Sequence, residues 1–265
     1  MIKTDLLAAV KNKKPVIHHI TNFVTINDCA NITLALGASP IMSNDVNEIE
    51  DIVKEADSLV LNMGTLSPIQ FSAILKAGLI AQKSDIPIVL DPVGIGGASF
   101  RTEKILNLLE KVKPTVIKGN EAEISILSGE FAKLKGIESR SYNGDILENA
   151  KKVANKFSCI AVVTGKEDLV TDGLNSFVVS NGHYYLKDII GSGCMAASMI
   201  ACFLTVDSTP LGSSVTALKT YGIAAEIAGK RQDVKGPGSF KIALMDEIYN
   251  LTWEKLMNKA KVRQV

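Results

Sequence analysis

Apolar positions along this chain fall into two alternating kinds of segment. Short continuous runs rich in Val, Ile and Leu give way to longer stretches in which apolar residues recur every three or four positions. Leu6, Leu7 and Val10 put an apolar stripe on a short first helix, closed by the basic run 11–14. Pro15 introduces the β-rich run 16–20 (Val-Ile-His-His-Ile), which ends at Thr21-Asn22. Helical spacing covers 25–36, with Ile26, Ala30, Leu34 and Ala35 on the predicted face and Gly37 as its stop. Pro40-Ile41-Met42 reads as a very short strand. Predicted helices then follow at 49–56, 68–83, 103–112 (Leu106, Leu109 and Val112 inward), 120–127 and 145–157. Predicted buried strands lie between them at 58–61, 86–90, 115–117 and 159–163. Apolar strands alternating with amphipathic helices predict an α/β architecture, a mainly parallel sheet covered on both faces.

The grammar changes after Leu169. Asp172-Gly173 and Asn181-Gly182 are hairpin signals beside 175–180 and 183–187, so the sheet is expected to gain an antiparallel edge. Three helices complete the pattern, at 195–204, at 213–228 and from Phe240 to about Lys261. Before the first of them stands Gly191-Ser192-Gly193-Cys194. Glycines let the backbone close on a ligand, and a helix N-terminus presents unpaired N–H groups and a positive dipole end to an anion. A thiol at that point is expected to have a lowered pKa and to serve as a base or a nucleophile. Ligands of open α/β sheets sit at the carboxyl ends of strands, which brings Asn22, Met42, Gly64, Asp91, Lys118 and Thr164 towards Gly191.

Composition narrows the field. The 265 residues are 46% hydrophobic, enough for one large α/β domain spanning 1–265. A net charge of +1 and 5% aromatic residues give no pull towards nucleic acid or an anionic membrane. The longest apolar run, 194–206, is too short to span a bilayer. Residues 1–5 lead into an amphipathic segment with no signal-peptide core. Cys29, Cys159, Cys194 and Cys202 are spaced as reduced thiols of a cytoplasmic protein, with no disulfide or zinc pattern.

Each candidate residue also has a plainer reading. Asp91, ahead of Pro92-Val93-Gly94, suits a metal near phosphates or a turn cap. Glu123 suits a water-bridged magnesium or a capping box with Asn120. Lys118 can reach phosphate oxygens or be a solvated strand-end lysine, and Thr164 can bind phosphate or end a turn. Met42 reads as a core or pocket-wall residue, and Asn22 as a cap or a ligand contact. His18 and His19 point to opposite faces of a strand, so at most one faces any site. The glycine turn is neither a dinucleotide fingerprint nor a P-loop.

Several longer strings carry a resemblance. They are His18-His19-Ile20-Thr21-Asn22 with Asn27, Ala30 and Asn31, then 36–42 (Leu-Gly-Ala-Ser-Pro-Ile-Met) and 61–66 (Leu-Asn-Met-Gly-Thr-Leu). Asp91-Pro92-Val93-Gly94, 118–124, 135–139, 163–165 and 191–194 complete the set. In these the chain resembles, nearly end to end, the hydroxyethylthiazole kinases of the ribokinase-like superfamily. The resemblance implies a three-layer α/β/α ribokinase-like fold and a homotrimer with sites between subunits. It also implies transfer of the ATP γ-phosphoryl group to the hydroxyl of 5-(2-hydroxyethyl)-4-methylthiazole, a salvage step towards thiamine. Met42 and Gly191 would touch the thiazole, Lys118 and Thr164 the nucleotide phosphates, and Asp91 and Glu123 the Mg2+. The N–H groups of Gly191, Ser192, Gly193 and Cys194 would meet developing charge, with Cys194 as base where many relatives carry an aspartate. Family members typically have Thr where this chain has Ser192, which keeps the hydroxyl. Competing readings are a sister kinase acting on hydroxymethylpyrimidine or a pyridoxal-like alcohol, a cysteine hydrolase pairing Cys194 with His18 or His19, and a nucleotide-binding regulator without turnover.

Overall fold

The computed structural model describes residues 5–129, 145–207 and 209–265. Of the 129–144 stretch whose role the sequence leaves open, only Gly129 is among them, and the 135–139 string lies outside the described residues. The described strands are β1 (Val16–Ile20), β2 (Ser39–Met42), β3 (Ser58–Asn62), β4 (Ile88–Asp91), β5 (Val116–Asn120), β6 (Ile160–Thr164), β7 (Asp168–Thr171), β8 (Ser176–Val179) and β9 (Val262–Gln264). They form one sheet in the order β2-β1-β3-β4-β5-β6-β7-β8-β9. Pairings from β2 to β6 are parallel, and those from β6 to β9 antiparallel.

Two apolar cores sandwich the sheet. Within β3, Leu59 and Leu61 enter one core and Val60 the other, the period-2 alternation of a strand buried on both faces. One face carries α1 (Leu6–Lys13), α2 (Ile26–Leu36), α8 (Ser192–Leu204), α9 (Pro210–Ala228), α10 (Pro237–Asn250) and α11 (Trp253–Lys259). The other carries α3 (Ile49–Glu55), α4 (Pro68–Lys83), α5 (Ser99–Lys111), α6 (Glu121–Ser128) and α7 (Ile146–Phe157). Every residue of α8 from Cys194 to Phe203 is buried, so this helix is apolar all round and cannot shift without disturbing the core. From β1 the chain moves outward to β2, then returns to the other side of β1 as β3. The order reverses there, which opens a crevice at the carboxyl ends of β1 and β3.

Most predicted elements hold, and four details differ. The buried stripe of α2 is Cys29, Ile32, Thr33 and Leu36, while Ile26 and Leu34 face outward. Thr33 can face the core because its hydroxyl donates to Cys29 O at 2.8 Å. In α5 the inward residues are Ile105, Leu108 and Leu109, and Leu106 is exposed. Residues 184–188 form a short 3-10 helix in place of the second hairpin strand. Asn181 is the cause: its amide donates to Lys259 O at 2.9 Å and accepts from Lys261 N at 2.7 Å. These bonds clamp the C-terminal segment beside β8, and β9 closes the edge. The final predicted helix is accordingly two, parted at Leu251, with Thr252 capping α11. Among the described residues, no helix is long and apolar enough to cross a membrane.

Candidate active site

The turn before α8 requires glycine. Gly191 stands at the N-cap with φ +91°, and a Cβ there would lie 2.7 Å from Thr25 Cγ2. A Cβ on Gly193 would lie 3.1 Å from Lys118 Nζ, which keeps the ammonium against the turn backbone. With glycine at the N-cap, no capping side chain occupies the first N–H groups of α8.

A polar network joins this turn to the strand ends. Asn22, just past β1, donates from Nδ2 to Cys194 Sγ at 3.4 Å and to Asn62 Oδ1 at 3.1 Å. Asn62, the last residue of β3, donates from Nδ2 to Cys194 Sγ at 3.3 Å and to Asp91 Oδ2 at 3.0 Å. That same Asp91 oxygen pairs with Lys118 Nζ at 3.1 Å, and the side chains of Lys118 and Asp91 are 4% and 0% exposed. Three neighbouring strand ends, the β5 lysine and the helix turn thus form one connected group. The plain reading of Lys118 as a solvated lysine fails.

Burial governs the protonation of this group. It would lower the Lys118 pKa, but the charges of Asp91, Cys194 and Glu123 outweigh it, and the ammonium is held above its usual range. Burial raises the Asp91 carboxyl, against the pull of Lys118. The expected drop in the Cys194 pKa is not found: burial and then the Asp91 charge push the thiol up, against opposing pulls that include Lys118 and the Asn22 amide. Desolvation outweighs the helix N-terminus here. Cys29 and Cys202, pushed up to about 12 by burial, are inert core thiols.

The hydrolase reading loses its partner. His18 Nε2 bonds Ser43 O at 3.0 Å, and His19 bonds Ile17 O at 3.1 Å and Ser198 Oγ at 3.1 Å. Burial lowers the His19 pKa to about 4, so it is a neutral structural imidazole. Neither ring is hydrogen-bonded to the Cys194 sulfur.

Residues 7–254 match the profile of the hydroxyethylthiazole kinase family. The chain belongs to the hydroxyethylthiazole kinase family. The hydroxyethylthiazole kinase of Thermoanaerobacter pseudethanolicus is 48% identical over 261 residues, 98% of this chain and 99% of that one. The hydroxyethylthiazole kinase of Methanosarcina mazei is 44% identical over 259 residues, 98% of each. Among solved structures, the hydroxyethylthiazole kinase protein from Pyrococcus horikoshii OT3 superposes with a TM-score of 0.88 at 40% identity, covering 98% of this chain and 97% of that one. A pyridoxal kinase from Staphylococcus aureus in complex with ADP gives 0.65 at 17% identity, covering 95% and 99%, a likeness of fold alone. The protein is a kinase with the ribokinase-like α/β/α fold.

For a member of the hydroxyethylthiazole kinase family, the remaining candidates fall into place unevenly. Glu123 is the capping box that its spacing allowed: Oε2 accepts from Asn120 N at 2.8 Å, while its own N–H donates to Asn120 Oδ1 at 2.9 Å. Its other oxygen accepts from Gly94 N at 3.0 Å, which ties the loop after Asp91 to α6. Thr164 lies opposite Asn120 in the β5–β6 ladder and donates to Gly119 O at 3.3 Å. Met42 pairs in register with His19, on the far side of β1 from Asn62. The residue that the sequence left without a role is Asn62. Its signals were its place in the 61–66 string and an amide ending the strand directly before Met63-Gly64.

Magnesium can be tested against these side chains. Among the described residues, no three His, Cys, Asp or Glu side chains cluster as a metal cage. Asp91 Oδ1, however, is a buried acceptor with no partner. One free carboxylate oxygen near Glu123 fits a cation that draws its other ligands from water and substrate phosphates. A cavity of about 540 Å³ lined by Ile160, Phe177, Leu211 and Val215 lies at the opposite end of the sheet, and none of the candidate site residues lines it.

Proposed function

We propose that this chain transfers the γ-phosphoryl group of ATP to the hydroxyl of 5-(2-hydroxyethyl)-4-methylthiazole, in a single catalytic domain spanning residues 1–265. The observation that carries the proposal is the Cys194 sulfur at the start of α8, facing the amides of Asn22, just past β1, and Asn62, at the end of β3, beside a buried Lys118–Asp91 pair. Names of relatives that align over nearly the whole chain support the substrate.

Phosphoryl transfer needs positioning and charge stabilisation more than covalent chemistry. In this reading Asn22, Met42 and the Gly191 turn hold the thiazole alcohol, while Lys118 and Thr164 hold the nucleotide phosphates. The Cys194 sulfur, as thiolate, takes the hydroxyl proton as the oxygen attacks the γ-phosphorus and the bond to the leaving ADP breaks. N–H groups of 191–194 and the Lys118 ammonium meet the charge that develops on the transferred group. Asp91 and Glu123 would hold Mg2+, partly through water, and a bound Mg2+ supplies neutralisation of phosphate charge. The free, buried thiols fit a cytoplasmic site of action.

An ADP-release assay with MgATP tests the reading. The thiazole alcohol should turn over, with kcat/KM at least about 100-fold above hydroxymethylpyrimidine and pyridoxal, because mismatched ring polar groups go unpaired. A preference for either competitor would replace the proposal with the sister-kinase reading.

We also propose a homotrimer. Phe23 and Ile190 are 76% and 74% exposed immediately beside Asn22 and Gly191, and Val24 and Ile26 are exposed at the entry to α2. Such a patch at the mouth of a site suits closure by a neighbouring subunit. Sedimentation equilibrium should return about three times the 28.4 kDa chain mass. A monomer at assay concentration would remove the trimer.

A further inference from the structure

We infer that Asn62 is a positioning residue for phosphoryl transfer, its amide fixing the Cys194 sulfur as a hydrogen-bond acceptor and tying it to Asp91. The inference rests on the kinase reading above and adds a residue to it.

The direction of the amide is decided by its neighbours. Gly64 N–H, a backbone donor, points at Asn62 Oδ1 from 2.9 Å, and Asn22 Nδ2 approaches the same oxygen at 3.1 Å. On the other side stands a carboxylate oxygen of Asp91 at 3.0 Å. A flipped amide would set oxygen against carboxylate and nitrogen against two donors, losing all three bonds. Asn62 therefore offers one N–H to Asp91 and the other to Cys194 Sγ at 3.3 Å. Its two donors and both acceptor sites are used, so the side chain is locked.

Asn22 is fixed in the same way. Thr25 N–H donates to its Oδ1 at 3.1 Å, which turns Nδ2 towards Asn62 Oδ1 and the sulfur. The sulfur thus receives N–H donors from two amides, each oriented by a backbone N–H. A thiol in that cradle directs its own S–H away from both amides. Both amides aim donors at the sulfur and so support its thiolate, the form that can accept a proton in the reaction. Because Asn62 also holds Asp91, sulfur and carboxylate keep one relative position, and small displacements of reacting groups are costly.

The test uses Asn62→Ala and Asn62→Asp in the full-length protein, each also made in a Cys194→Ala background. Asn62→Asp retains an oxygen for Gly64 and loses both donors, so it stands in should the alanine variant not fold. In the wild-type background kcat should fall about 30- to 100-fold while KM for the thiazole alcohol changes less than about 3-fold. In the Cys194→Ala background the same changes should cost at least about 5-fold less than in the wild-type background, because only the bond to Asp91 is left to lose. Equal losses in both backgrounds, unchanged kcat, or an effect confined to KM would overturn the role. A wild-type protein that does not turn over the thiazole alcohol instead overturns the kinase-substrate reading.

Discussion

Lys118→Ala is expected to lower kcat/KM by about three orders of magnitude and to weaken the fold at the same time. The ammonium is buried 3.1 Å from Asp91, and a Gly193 Cβ would come within 3.1 Å of it. Removing it takes away a fixed positive charge beside the N-terminus of α8, where the transferred group is to be stabilised. It also strands the Asp91 carboxylate in a fully buried place, which costs about 3–5 kcal/mol unless the acid takes up a proton. For a chain of this size that corresponds to a Tm roughly 6–10 °C lower. Thermal melts and steady-state kinetics on one preparation check both parts. Full activity with an unchanged melt would sink the assignment of Lys118 to the site.

Cys194→Ala should lower kcat about 100- to 1000-fold and leave measurable turnover, since Lys118 and the turn N–H groups remain. Cys194→Asp should retain activity, because a carboxylate accepts from both Asn22 and Asn62 and faces the Lys118 ammonium. The pH profiles separate the variants. Burial and the Asp91 charge raise the thiol pKa, so the proton-accepting form is scarce near neutrality and wild-type kcat climbs as pH rises. A carboxylate at 194 ionises at lower pH, and kcat for Cys194→Asp should be nearly level over that interval. A wild-type profile flat from about pH 6 to 9, or full rates from Cys194→Ala, would contradict the base assignment.

The convergence of several candidate residues was readable in advance because the apolar runs stop at marked residues. Asp91 and Thr164 end β4 and β6, Lys118 follows the apolar start of β5, and parallel strands present their carboxyl ends together. The resemblance then named the chemistry, and the family match over residues 7–254 bears that naming out. The role of Asn62 was not readable. Its partners lie 29 and 132 positions away, and nothing local distinguishes it from a cap.

Hydrophobic periodicity by itself determined the parallel strands, most of the helices and the two-sided cover of the sheet, because burial on a repeating local geometry writes itself into residue spacing. Gly37 and Pro68 marked helix ends for the same local reason, a left-handed φ in one case and a first-turn position in the other. Only the tertiary structure decided which stripe of α2 faces the core, that the tail returns as β9, and that the Cys194 thiol is harder, not easier, to ionise. The last two outcomes depend on groups distant in sequence: the Asn181 clamp, and desolvation set against the Asp91, Lys118 and amide partners of the sulfur. Desolvation and long-range polar pairing have no period along the chain, so they become legible only once the strand ends stand side by side.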